Sequence, residues 1–338
     1  MINNNLILTI FEILVNLIDV LVVIVPALLA VAFVTIVERK QLAAMQRRVG
    51  PNSVGYYGIL QPFSDALKLI LKETVIPSQS NKILFYLAPV FTLVFSLLGW
   101  GIIPFGQGLA LSDFSMGVLY TLALSSLGVY GVLFAGWSAN SKYAFLGALR
   151  SAAAMISYEL ILSSSIFIII LLTGSFNYTT IIESQEAIWF IVPLLPVFIF
   201  YFISILAETS RTPFDLQEAE SELVAGFFTE HSSIIFVFFF LAEYSSILLF
   251  SCITAILFMG GYNMPELFVN DSFINLQSII LGIKTCIFVF MFVWFRATLP
   301  RLRYDQLIEF CWLNLLPVAV AFMILVPCIL VAFDIAPY

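Results

Sequence analysis

Residues 234–259 read IIFVFFFLAEYSSILLFSCITAILFM, an unbroken apolar run that holds one carboxylate, Glu243, and no base. As a helix it would be about 39 Å long, more than the roughly 30 Å hydrocarbon core of a bilayer. Lipid offers no partner for backbone N–H and C=O groups, so a run like this must satisfy them internally, as a helix does. A carboxylate inside such a helix costs several kcal/mol unless it faces a protein interior, pairs with a base or lines water. Glu243 is therefore a functional candidate as well as a marker of the fold.

Working outward, apolar stretches of spanning length recur at about 6–37, 83–103, 114–137, 144–172, 187–207, 276–297 and 312–332. They predict an all-α, polytopic membrane protein of about eight transmembrane helices, forming a single integral membrane domain over residues 1–338. The alternating ten-residue pattern of barrel strands is absent. The first stretch exceeds the bilayer thickness and must tilt or kink, with Pro26 the place for a kink. Its start has no basic n-region and no small-residue cleavage site, so the chain is expected to reach its membrane uncleaved. No internal repeat of the kind seen in inverted-repeat transporters is present.

Composition agrees. The 338 residues are 62% hydrophobic, 15% aromatic and only 10% charged, with a mean hydropathy of +1.07. That is too little polar surface for a soluble globule. The net charge of −7 lacks the basic stripe that nucleic acid requires. Cys252, Cys286, Cys311 and Cys328 lie far apart in or beside apolar runs, and His231 is the only histidine. Such spacing reads as small hydrophobes and predicts no metal site and no redox centre in this chain.

Thirteen of the fourteen basic residues fall on the first, third, fifth and seventh connections. By the positive-inside rule these connections face the matrix or cytoplasm and both termini face the other side. The fifth connection breaks the pattern, because residues 208–231 hold Glu208, Asp215, Glu218, Glu220, Glu222 and Glu230 against the single Arg211. Helical spacing would put several of these on one stripe, whereas Pro213 favours a break and a loop. In either form, crowded carboxylates near apolar walls exchange protons closer to neutral pH. A solvated acidic loop is the plain alternative, and Phe214, Leu216, Leu223, Val224, Phe227 and Phe228 speak against it.

Glu159 and Lys284 are further ionisable groups within apolar spans, and Lys284 or Arg296 could pair with a buried Glu. The first connection, residues 38–82, is the most basic, and within it Leu60, Phe63, Leu67, Ile70 and Leu71 recur near helical spacing. This predicts an amphipathic helix over 57–73 that either lies on lipid or docks a partner.

These strings resemble the family of subunit 1 of respiratory complex I, the proton-pumping NADH:ubiquinone oxidoreductase, and its bacterial counterparts. The resemblance covers about residues 10–325. It rests on ERK at 38–40, MQ at 45–46, GPN at 50–52, LQPFSDALKL at 60–69, GWSANSKYAFLGALR at 136–150 and ISYE at 156–159. It continues with LAETSRTPFDLQEAESELVAGF at 206–227, AEY at 242–244 and PRLRYDQL at 300–307.

The resemblance implies eight transmembrane helices at the heel of a membrane arm, where a peripheral arm docks. It also implies a cavity through which ubiquinone, the substrate, reaches the terminal iron–sulfur cluster of a partner subunit. By matching position, Arg39 and Asp65 would stand near the mouth and inner wall of that cavity. Glu208, Arg211, Asp215, Glu218, Glu220 and Glu222 would form the acidic loop facing quinone, with Phe214 and Phe228 as further cavity residues. Glu159, Glu208 and Glu243 would lead protons into the membrane, with Arg296 as counter-charge and Lys284 on the same path. No iron–sulfur cluster, flavin, haem or covalently held group is expected in the chain. Expected partners are the other membrane-arm and peripheral-arm subunits, ubiquinone and lipid, with no nucleic acid.

Two positions depart from the family pattern: His231 stands where a Tyr is usual, and Ala154 where a polar residue is usual. His231 would be either a titratable group beside the acidic loop or a surface histidine. The 34 Phe residues and Ile-rich spans hint at an organellar genome, hence the mitochondrial inner membrane with odd connections in the matrix and termini in the intermembrane space. A bacterial plasma membrane is the alternative. A self-sufficient proton or cation antiporter of common ancestry is the rival function.

Overall fold

The chain is described by a computed structural model over residues 2–215, 224–265 and 276–334, with side chains described from residue 12 onward. Its first helix, α1 (Ile2–Met45), runs unbroken through Pro26. At about 66 Å it is twice the hydrocarbon thickness, so it leans across the bilayer or projects beyond it. The first connection then carries a 3-10 turn (Tyr56–Gly58) and α2 (Gln61–Leu71), which begins with Pro62 in its first turn and buries none of its residues. The amphipathic helix read over 57–73 is therefore present but shorter at both ends, since the 3-10 turn precedes it and Lys72 is already extended.

The remaining helices are α3 (Lys82–Leu98), α4 (Gly117–Ser138), α5 (Lys142–Thr173), the short α6 (Tyr178–Glu183), α7 (Leu195–Glu208), α8 (Ile234–Met259) and α9 (Gln277–Thr298). After them, α10 (Tyr304–Glu309) passes through a π-helical turn (Phe310–Leu315) into α11 (Leu316–Ala332). Among the described residues, seven helical runs are long and apolar enough to cross a membrane, and α7 is a shorter apolar helix of 14 residues. The run predicted from 187 begins as helix only at Leu195. Pro193 disfavours helix at Val192, and Pro196, which lacks an N–H, is accepted only in a first turn, so the helix begins just before it.

The helices α5 and α8 form the centre of the bundle, with about half of each span buried, whereas α1 and α11 are mostly exposed along theirs. α5 packs against α4, α7, α11 and the 3-10 turn Gly226–Glu230, and α8 packs against α1, α3 and α9. Small residues set the closest approaches, as expected where helices gain nothing from expelling water. A Cβ built on Gly136 would stand 2.3 Å from Cβ of Ala148 and 2.8 Å from the Ala144 carbonyl oxygen, so this glycine lets α4 close on α5. Gly128, on the same helix, has nothing within 4 Å of that position.

Gly136→Ala is therefore expected to destabilise by about 1–3 kcal/mol through overpacking, lowering the thermal midpoint of the assembled protein. Gly128→Ala should leave that midpoint unchanged or slightly raised.

Candidate functional site

Where α1 leaves its apolar stretch, Glu38 is buried rather than displayed with its basic neighbours Arg39 and Lys40. Its Oε1 accepts from Nη1 of Arg211 at 3.4 Å and from Nη1 of Arg296, and its Oε2 accepts from the Tyr244 hydroxyl at 2.6 Å. Arg211 also places Nε 3.0 Å from Oε1 of Glu243 and lays its guanidinium over the Tyr244 ring, 4.5 Å from the centroid. Two carboxylates and two guanidiniums thus cancel in charge. That balance is the condition for keeping ionised groups out of water.

Four elements converge to make this group. Glu243 and Tyr244 are consecutive on α8, about 100° apart around its axis, so Glu243 reaches Nε of Arg211 while Tyr244 lies under the guanidinium and donates to Glu38. Arg211 follows the end of α7, held by a bond from its own N–H to the Leu206 carbonyl and by Phe214 N–H donating back to its carbonyl. Pro213, the break expected from sequence, keeps the chain from continuing as helix. Its carbonyl accepts from Leu302 N–H, tying this loop to the connection after α9.

Beside the group lies a cavity of about 130 Å³, between α3, α4, α8 and the Gly226–Glu230 turn. Glu243 and Glu208 both line it, together with Phe228 and the hydroxyls of Thr92, Ser96, Thr121, Ser125 and Ser246. Its size admits several waters, and its polar side chains offer them partners. Glu208, at the end of α7, is buried, and among the described residues its Oε2 has no hydrogen-bond partner. Glu159 on α5 accepts a hydrogen bond from Ser126 on α4. Glu243 therefore belongs both to the ionic group and to the cavity wall.

The other candidates divide. Arg39 and Asp65 meet at 2.6 Å, an exposed pair that ties the end of α1 to α2, with Gln61 donating to the same carboxylate. Asp215 is buried against Arg301 at 2.8 Å. Phe214 is buried, its ring 5.2 Å from that of Tyr158. Glu218, Glu220 and Glu222 lie outside the described residues. Of the acidic connection, Glu208 and Asp215 are thus turned inward, unlike the acids of a solvated loop.

Two expectations are corrected. Arg296 pairs with Glu38, not with Glu159 or Glu208. Lys284 is remote from the acids: its ammonium donates to the carbonyls of Met259, Gly261 and Asn263 at 2.6–2.7 Å and sits 4.9 Å from the Trp189 ring centroid. The reason is the helix itself. Lys284 and Arg296 are twelve residues apart on α9, about 18 Å, so they serve opposite ends of the bundle. Lys284 caps the C-terminal end of α8, where partial negative charge gathers.

His231 is no surface residue. It is buried and stacks on Phe85 with ring centroids 4.2 Å apart, and burial holds its pKa down at about 4. Sequence reading missed Glu38 and Tyr244, the two groups that complete the ionic cluster. Glu38 was hidden by the bases beside it, although a lone acid at the exit of a span was the available signal.

The family model for NADH dehydrogenase matches residues 18–327. The chain is 69% identical over 330 residues to NADH-ubiquinone oxidoreductase chain 1 of Mycosarcoma maydis, covering 97% of this chain and all of that one. The chain belongs to the complex I subunit 1 family. It is 55% identical to the chain 1 protein of Podospora anserina, over 97% of this chain and 98% of the relative. To an NADH-quinone oxidoreductase subunit of Rhodospirillum centenum it is 51% identical, over 94% of this chain and 95% of the relative. It is accordingly a multi-pass core membrane subunit of the respiratory complex I assembly, and an inner-membrane protein.

Removing one member of a buried ion pair costs about 3–5 kcal/mol, so Glu38→Ala should sharply reduce the amount of assembled complex on native gels. Arg39→Gln, at an exposed pair worth about 1 kcal/mol or less, should leave that amount near normal. His231 is neutral in the fold down to pH about 4, whereas unfolded it is protonated below about 6.5. Stability from this residue is then complete above pH 6.5 and declines steadily as pH falls from 6.5 to 4. His231→Phe should flatten that part of a plot of thermal midpoint against pH.

Proposed function

We propose that this chain forms part of the quinone-binding cavity and couples quinone reduction to proton translocation. The observation that carries the reading is the double membership of Glu243, which touches Arg211 on one side and lines the hydroxyl-bearing cavity with Glu208 on the other. Reduction of the quinone takes two electrons from a partner's iron–sulfur cluster and two protons to give the quinol. Negative charge arriving beside the 208–231 connection competes with Glu38 and Glu243 for the guanidinium of Arg211. A carboxylate that loses its guanidinium takes a proton, and for Glu243 the cavity beside Glu208 is the available source. Refilling of that cavity, with Glu159 and Ser126 at its side, would then draw the next proton across the bundle. When quinol leaves, Arg211 returns to Glu243 and the proton is expelled.

The same reading assigns the base-rich odd connections to the matrix face, and α2 with its uncovered apolar side chains to the surface that meets the peripheral arm. Buried Asp215, held by Arg301, keeps the 211–215 loop anchored while Arg211 changes partner. Charge separation inside low-dielectric surroundings is the driving term, because Coulomb energies there exceed those in water several-fold.

Glu243→Gln and Glu208→Gln are expected to depress proton pumping and quinone turnover together in reconstituted complex, by tenfold or so if each removes about 1.4 kcal/mol of coupling. Wild-type rates of both processes in both variants would remove this mechanism.

A further inference from the structure

A second cavity of about 450 Å³ lies between α7, α9 and the connection after α9, sharing no lining residue with the polar one. Its walls are entirely apolar and include Phe198, Ile203, Leu206, Phe214, Met291 and Leu302. We infer that it holds one acyl chain of an acidic phospholipid whose phosphate meets Arg303.

The shape supports a slender occupant. Eight residues separate Phe198 from Leu206 on α7, and Met291 and Phe295 follow α9 to Leu299 just past its end, so both walls run about 12 Å. A helix of 10 Å diameter would need roughly 1,000 Å³ over that length, about twice the space present. Water is no substitute, since an apolar cavity without polar partners stays dry and its lining atoms forgo dispersion contacts. The slot opens sideways at Ile199 on α7 and at Leu299 just past the end of α9, which are 51% and 41% exposed.

Its upper end lies at headgroup level. Trp294, half exposed near the end of α9, is of the type that marks the membrane interface, and Leu299, Pro300 and Leu302 alternate there with Arg301 and Arg303. Arg301 is engaged by buried Asp215, whereas Arg303 has its side chain 73% exposed and pairs with the similarly open Asp305 at 3.1 Å. An exposed pair of that kind is worth little, and a phosphate offers a guanidinium a stronger, bidentate partner. A chain in the slot would also lie against Pro213 and Phe214, beneath the loop that presents Arg211.

The test uses the intact complex, solubilised from its membrane and placed in phosphatidylcholine vesicles with a phosphatidylglycerol whose acyl chain carries a photoreactive diazirine. Light should label peptides containing Ile203 and Met291. Unlabelled phosphatidylglycerol should compete where phosphatidylcholine does not, and Arg303→Gln should abolish that preference. Ile203→Trp, which fills the slot, should lose the label, and Ile199→Trp at the exposed rim should do so even if the deeper substitution blocks assembly. The inference is overturned by absence of label in the wild type or by label that persists in the Trp variants. Equal competition by phosphatidylcholine, or displacement by a long-tailed quinone in place of phosphatidylglycerol, overturns it as well.

Discussion

One buried guanidinium shared between two carboxylates, Arg211 between buried Glu38 and part-buried Glu243, is the constraint around which the rest of the bundle is arranged. Charges of this kind stay ionised away from water only when each has a partner in reach. α1, α8, α9 and the end of α7 must therefore meet at one point, and Arg296 and the Tyr244 hydroxyl complete the balance. The arrangement is poised as well as stable, because a guanidinium with two carboxylates can favour one over the other at small cost. A protein that merely anchored a peripheral arm would have no need of it, and apolar residues of similar volume would hold the helices together at least as well.

The two ends of the molecule use charge differently. At the Arg296 end of α9, opposite charges meet and can exchange partners. At the other, Lys284 donates to the carbonyl of Met259, the last residue of α8, and to those of Gly261 and Asn263 just beyond it, with the Trp189 ring beside it. That end is fixed by backbone atoms, which do not titrate. The proposed change of partner by Arg211 involves only the part of α8 that carries Glu243 and Tyr244.

Much of the fold was legible in the sequence because lipid imposes simple rules. Hydrophobic length gave the spans, and 234–259 coincides with α8. The shortfall came at residues 187–194, where apolar composition is indistinguishable from helix and only Pro193 and Pro196 mark the difference. The site was legible at Glu243, Glu208 and Arg211, whose presence in oily surroundings demands a reason. Glu38 escaped because its immediate neighbours are bases, and one-dimensional charge counting assigns it to them. His231 escaped because burial against Phe85 is a tertiary fact with no local pattern. Which end of a helix a lone charge serves, as for Lys284 and Arg296, is set by register along the axis and could have been read from their twelve-residue separation.

In the proposed mechanism Glu243 exchanges its guanidinium for a proton when quinone is reduced. The most direct measurement is infrared difference spectroscopy of the complex on reduction of bound quinone, following the carbonyl stretch of protonated carboxylic acids. A protonated-carboxyl band that rises with reduction and is missing in Glu243→Gln is the result required. A spectrum without such a band, or with the same band in the variant, contradicts it.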